Sequence, residues 1–260
     1  MLKLGKGLFG VAAVLFLLAP LIVILPLAFT SSIFLNYPVP GWSLRWFDEL
    51  FTSETWRRAI FNSLVIGGGT TILATVLGTL GAVGLRDRHV PFTSVFRTMF
   101  LLPMVVPAVV LGVGMQLLFV KFGLANTYLG VIVAHTVVAI PFVFVNVAAS
   151  LEGIDRRIER AALSLGASPP TVFRRVTLPL LAPGVISGAV FAFATSLDEV
   201  VLTLFVAGPN QRTLARQMFS SIRENITPAN ASASILFIDG TILIAGLAML
   251  LRWRLARAAS

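Results

Sequence analysis

The sequence predicts an all-α polytopic membrane protein with six transmembrane helices. Three observations predict it. Of 260 residues, 57% are hydrophobic and only 12% are charged, with a mean hydropathy of +0.93; a soluble domain of this length needs far more charged surface. Apolar runs of about 20 residues, enough to cross the hydrocarbon, recur along the chain. The basic residues cluster at the ends of those runs, as membrane topology requires.

The first run, 8–34, follows Lys3 and Lys6. It is too long for the apolar region of a signal peptide, and no clear small-x-small cleavage signal follows it, so it reads as an uncleaved span. Next comes "GWSLRWFDELFTSETWRR" (41–58), which alternates aromatics with charges. Its apolar residues have a helical period and predict a short amphipathic helix, with Trp42, Trp46 and Trp56 as interfacial anchors. The second span, 60–85, carries Gly67, Gly68, Gly69, Gly78, Gly81 and Gly84. Small residues let helix backbones approach closely in lipid, so this span belongs to a tight bundle. Spans three and four are placed at 98–120 and 128–150, with kinks expected at Pro103, Pro107 and Pro141. Spans five and six are placed at 178–206 and 233–252; between them, 208–228 reads as a turn, a short helix and a turn.

Orientation follows from Lys and Arg. With the N-terminus inside, the inner segments hold Lys3 and Lys6; Arg86, Arg88 and Arg97; Arg156, Arg157, Arg160, Arg174 and Arg175; and Arg252, Arg254 and Arg257. The outer segments hold Arg45, Arg57, Arg58, Lys121, Arg212, Arg216 and Arg223. The inner excess places both termini in the cytoplasm. The same clustering removes a nucleic-acid reading of the net charge of +9. No cysteine is present, which excludes disulfides and thiol metal sites. His89 and His135 stand far apart without a ligand pattern, so no metal site is expected.

None of the three lysines, Lys3, Lys6 and Lys121, is followed by Ser or Thr. The chain therefore carries no P-loop, and any transport is driven by ions or by another subunit that hydrolyses ATP. The segment between spans four and five, "IERAALSLGASPPTVFRRVTLP" (158–179), bears on that choice. Ile158 to Leu165 is a helix former in which Ala161 and Ala162 offer a small face. Gly166 ends it or turns it. Ser168 as N-cap and Pro169 at the first position start a second helix, with Arg174 and Arg175 outward. Leu178-Pro179 then bends into span five. The product is a compact helix–turn–helix along the membrane surface, able to fit a groove.

This segment resembles the coupling-loop signature of membrane subunits of bacterial ABC importers, E-A-A-x-x-x-G-x(9)-I-x-L-P. Ala161 and Ala162 match the alanines and Gly166 the glycine; nine residues later Val176 stands in the Ile position, followed by Leu178 and Pro179. The acidic position falls on Arg160, with Glu159 one residue early. "FNSLVIGGGTTILATVLGTLGAVGL" (61–85) resembles the start of the family's transport core. "SLDEVVLTLFVAGP" (196–209) looks like permeases of the spermidine/putrescine branch, whose relatives also handle opines, 4-aminobutyrate-like compounds and other small polar solutes.

The resemblance implies a type I importer permease fold in one domain, 1–260. Residues 1–59 form the first helix and outer segment, 60–252 the transport core, and 151–177 a cytoplasmic coupling loop. That loop, with Glu159, Arg160, Ala161, Ala162, Gly166, Arg174, Arg175, Leu178 and Pro179, would dock into a cleft of a cytoplasmic ATPase. The implied partners are a second permease, by branch a paralogue, two ATPase subunits holding ATP and Mg, a periplasmic solute-binding protein and the inner-membrane bilayer. No cofactor and no bond chemistry are expected of this chain.

Three acids fall in predicted spans: Asp198, Glu199 and Asp239. Charged groups in hydrocarbon are costly and face a cavity or a partner. Asp198 lies about 30 Å along a helix from Leu178, and Asp239 about 9 Å from the outer end of span six, so both fall in the outer half. There they would suit a cationic solute. Two other roles stay open for Asp198 and Glu199: pairing with Arg212 or Arg216, or capping a broken helix. Gln116, His135 and Asn146 are expected to form interhelical hydrogen bonds. An ion-coupled transporter would show inverted repeats, and none is evident; a membrane scaffold would need neither the acids nor the docking signature.

Overall fold

The computed structural model of the chain describes residues 2–86 and 91–258, with side chains described for all of these except 2–4, 252, 253 and 255–258. Arg88 and His89, and the side chains of Lys3, Arg252 and Arg257, lie outside the described residues. In order the helices are α1 (Leu2–Ala28), α2 (Arg45–Thr52), α3 (Glu54–Gly84), α4 (Thr93–Leu101), α5 (Ala108–Phe122), α6 (Tyr128–Glu152), α7 (Arg156–Ser164), α8 (Pro169–Val172), α9 (Leu178–Asp198), α10 (Val201–Val206), α11 (Leu214–Glu224) and α12 (Ala229–Ala258). Among the described residues five helices are long and apolar enough to cross a membrane, and six spans result when the bent pair of α4 and α5 counts as one.

Span three is broken rather than kinked: the chain bends by 101° between its two arms. Pro103 sits in a 3₁₀ turn, Leu102–Met104, and Pro107 is extended at φ −56°, ψ 133°. A proline disfavours helical geometry in the residue before it, here Val106, and supplies no N–H of its own. Pro141, by contrast, sits inside α6, which is unbroken there. Span five is shorter than expected. It stops at Asp198, and α10 is a separate helix after the extended Glu199. Span one also ends early, at Ala28.

The chain divides into two compact units, 1–58 with 217–240 and 59–216 with 241–260. In the smaller unit, the Ser232 hydroxyl donates to the carbonyl of Ala28 at 2.9 Å, joining α12 to the end of α1. The Trp46 indole donates to the Ser32 carbonyl at 3.2 Å. Trp46 and Trp56 are buried, so of the three expected anchors only Trp42 is exposed. The short helix α2 and the 209–224 turn and helix form as their patterns predict.

The larger unit holds two apolar clusters. One joins α3, α6 and α9 through Ala74, Ala82, Val143, Val147, Leu181 and Ala192. The other joins α3, α5, α6 and α10 through Ile66, Phe119, Val131, Ala134, Leu202 and Val206. Glycines set the approach in the first. A Cβ on Gly78 would sit 2.8 Å from the Cβ of Val143, and one on Gly188 would sit 2.9 Å from its Cα. Val143 of α6 is thus held between α3 and α9, as expected of small residues in lipid.

Gly78→Ala is therefore expected to destabilise the purified chain by about 1–3 kcal/mol through overpacking. Gly68→Ala, where nothing lies within 4 Å of the added Cβ, serves as the neutral control. Thermal unfolding of both variants in detergent checks this.

Candidate functional site

The segment between α6 and α9 folds as its sequence requires. Asp155 caps α7, its side chain accepting from the Arg157 amide at 2.8 Å. At the other end Gly166 has φ +86°, a conformation that side chains rarely adopt. The Gly166 amide donates to Leu163 O at 3.0 Å and the Ala167 amide to Ala162 O at 3.2 Å. Those two bonds make a Schellman cap, which explains why glycine stands there. Ser168 takes the N-cap conformation before Pro169, but its hydroxyl pairs with the Thr171 hydroxyl at 2.9 Å rather than with a backbone amide. The chain then passes through a π-helical turn, Phe173–Thr177, directly into α9. Leu178-Pro179 is accordingly no bend. Leu178 is helical, and the wide turn before it accommodates the proline in the first turn of α9.

Glu159 and Arg160 differ in environment, the first partly buried and the second exposed. Glu159 turns inward. Arg86, just past the end of α3, donates from one Nη to both Glu159 oxygens at 2.8 and 2.9 Å, and from the other to the Ile154 carbonyl at 2.8 Å. The Thr177 hydroxyl donates to the same carboxylate at 2.7 Å. Arg156 in turn donates to the Arg86 carbonyl. Arg160 is exposed, and among the described residues no side chain pairs with it. Ala161, Arg174 and Arg175 are exposed, and Ala162 is partly so. Ile158, Leu163 and Leu165 are exposed too, Leu165 to 89%. Large apolar side chains among charges mark an unfilled contact surface. The partnership of Arg86 and Thr177 with Glu159 was not foreseen, because Arg86 lies 73 residues away in the chain.

The acids at the end of α9 have distinct environments. Asp198 is exposed, and among the described residues it has no polar partner. Glu199 is partly buried and accepts from the Leu202 amide at 2.8 Å, so it caps α10. Arg216 closes the other end of α10, donating to the carbonyls of Thr203 at 3.1 Å and Ala207 at 2.7 Å. An acid at the N-terminus and a base at the C-terminus both match the helix dipole. Burial, with the neighbouring Arg212 charge, lowers the Arg216 pKa from the usual arginine value. Neither acid forms an ion pair with Arg212 or Arg216 among the described residues. Asp239 is exposed on α12, in the other compact unit.

Two buried polar nodes hold this end of the bundle. His135 of α6 meets the hydroxyl of Ser196 at 2.8 Å and that of Thr203 at 2.9 Å, joining α6 to α9 and α10. Asn62 of α3, also unforeseen, donates to the carbonyls of Asn210 and Arg212, each at 2.9 Å, and accepts from the Tyr128 hydroxyl at 2.7 Å. Asn146 and Gln116 depart from expectation. Asn146 donates to Phe142 O in its own helix, and the Gln116 side-chain oxygen has no partner among the described residues.

Residues 74–258 match the family model described as the binding-protein-dependent transport system inner membrane component. The putrescine transport system permease protein PotI of Escherichia coli is 36% identical over 89% of this chain and 84% of its own length. The spermidine/putrescine transport system permease protein PotC of Escherichia coli is 32% identical over 93% of this chain and 92% of its own. A chain of a bacterial ABC transporter involved in the import of the acidic polysaccharide alginate superposes with a TM-score of 0.75 at 14% identity, over 95% of this chain and 94% of that one, and so shares the fold. With the family model matched over residues 74–258, this chain belongs to the family of inner-membrane components of binding-protein-dependent transport systems, the permease subunits of ABC importers.

Proposed function

We propose that this permease subunit forms half of the path for a small cationic, polyamine-like solute, and that its α7–α8 element docks on a cytoplasmic ATPase. The observation that carries the solute assignment is Asp198, an exposed carboxylate at the end of a membrane helix with no partner of its own among the described residues. A carboxylate there attracts a cation and repels an anion. Relatives named for putrescine and spermidine support the same class. Glu199 contributes less, since its oxygen already caps α10. Asp239, exposed on α12, belongs to the other compact unit and does not carry the assignment.

The excess of Lys and Arg supports cytoplasmic termini, which put α7 and α8 inside and Asp198 in the outer half. A second permease, a paralogue, completes the path. A periplasmic binding protein delivers solute. Two copies of an ATPase hold ATP and Mg, because this chain has no P-loop. Closing of the ATPase dimer pulls the coupling element and opens the core outward, and hydrolysis resets it. Docking is supported by the exposed Leu165, Ile158 and Ala161 beside the Gly166 turn.

Two outcomes are expected. Gly166→Glu abolishes uptake and solute-stimulated ATP hydrolysis while the chain remains inserted. Because this change also strains the turn, Leu165→Asp, at an exposed position outside the φ +86° residue, is the cleaner probe and should cut ATPase co-purification at least about tenfold, or about 1.4 kcal/mol. Normal assembly and uptake by Leu165→Asp would remove the docking proposal. For the solute, Asp198→Asn should raise the KM for putrescine about tenfold in proteoliposomes, while Glu199→Gln, whose amide oxygen can still accept from Leu202, has a smaller effect. A wild-type KM for Asp198→Asn contradicts the cation path.

A further inference from the structure

Helix α7 has no buried residue. Packing therefore does little to hold it to the bundle. Beside it runs an open groove of about 320 Å³, lined by Val83, Leu163 and Phe173 together with Arg86 and Glu159. What ties it down is polar. The Glu159 carboxylate accepts from Arg86 and Thr177 together, with the Arg86 and Glu159 side chains only 15% and 20% exposed. Arg86 follows the end of α3 and also holds Ile154, in the link from α6 to α7. Arg156, in the first turn of α7, closes back on the Arg86 carbonyl. Thr177 is buried and is the last residue before α9. Three elements thus meet at one carboxylate, the end of α3, α7 itself and the base of α9, and Arg86 ties the α6–α7 link to them through the Ile154 carbonyl.

We propose that Arg86, Glu159 and Thr177 are positioning residues that pass a displacement of α7 to the core helices α3 and α9. The inference rests on the reading of α7–α8 as the coupling element. The geometry favours transmission at this point over the rest of the segment. A charge-assisted hydrogen bond is shorter and stronger than a neutral one, and here the Thr177 hydroxyl holds the same carboxylate as a second donor. Half-buried, the ion pair is screened much less than an exposed one. The helices it joins are those already locked through Gly78, Val143 and Gly188, so a pull at Glu159 reaches a rigid three-helix body. Arg160, one residue on, faces outward and carries no such link. This register separates two tasks on adjacent residues: Arg160 and its exposed neighbours meet the partner, and Glu159 holds the core.

The test uses the complete transporter in proteoliposomes and reads ATP hydrolysed per solute imported. Arg86→Gln and Glu159→Gln should each raise that ratio at least about fivefold while solute-stimulated hydrolysis and ATPase co-purification are retained. Thr177→Val, which removes a single hydroxyl bond, should raise it about twofold and carries the test if either charge variant fails to assemble. The double variant Arg86→Gln with Glu159→Gln should be no worse than the more affected single, because both changes break one link. A ratio unchanged from wild type in the assembled variants, or effects of the two singles that multiply in the double, overturns the proposal. A failure of docking is distinguishable: it appears as full assembly and uptake in Leu165→Asp, whereas a failure of this link appears as normal stoichiometry in Arg86→Gln with Leu165→Asp still defective.

Discussion

A chain that crosses lipid must satisfy its backbone N–H and C=O groups from within, and the rest of this structure follows from how it does so. Where the helices are continuous, the requirement is met along each axis. Where they break, side chains take over. The break after α9 leaves the first amides of α10 exposed, and Glu199 accepts from one of them. The last carbonyls of α10 go to Arg216. The carbonyls of Asn210 and Arg212 go to Asn62. His135 joins two hydroxyls from opposite sides of the break. This end of the core therefore holds a short helix set off by a break in a defined place, with Asp198 exposed beside it and without a polar partner among the described residues.

At the other end of the larger unit the constraint differs. The α7–α8 segment is rich in charge and has few buried side chains, so its shape comes from caps and turns. Asp155 starts it, the Gly166 Schellman turn reverses it, and the wide turn at 173–177 feeds it into α9 without interruption. A surface made this way is rigid in backbone yet open in side chain, which suits an element that meets another protein.

Much of this was legible in the sequence. Hydropathy located the spans, and the spacing of Ala161, Ala162, Gly166, Leu178 and Pro179 located the loop. The positive φ of Gly166 supplies the physical reason that glycine stands at that point. The breaks were less legible. Hydropathy does not distinguish a straight span from one bent by 101°, and 178–206 reads as one apolar run although Glu199 interrupts it. Burial of Trp46 and Trp56 was hidden because an amphipathic pattern does not say whether its apolar face meets lipid or protein. Long-range polar pairs were least visible. Arg86 with Glu159, and Asn62 with the 210–212 carbonyls, join residues far apart in sequence, and local spacing carries no sign of them.

The central claim is that the α7–α8 element is the surface on which the ATPase sits. The chain has no cysteine, so a single introduced thiol can be addressed cleanly. Ala161→Cys, at an exposed position on α7, should cross-link to the ATPase subunit in the assembled transporter through a short thiol-directed reagent, with the yield changing between nucleotide-free and ATP-bound states. A thiol at Lys121, at the end of α5, should give no such product. Cross-linking from Lys121→Cys and none from Ala161→Cys would contradict the claim.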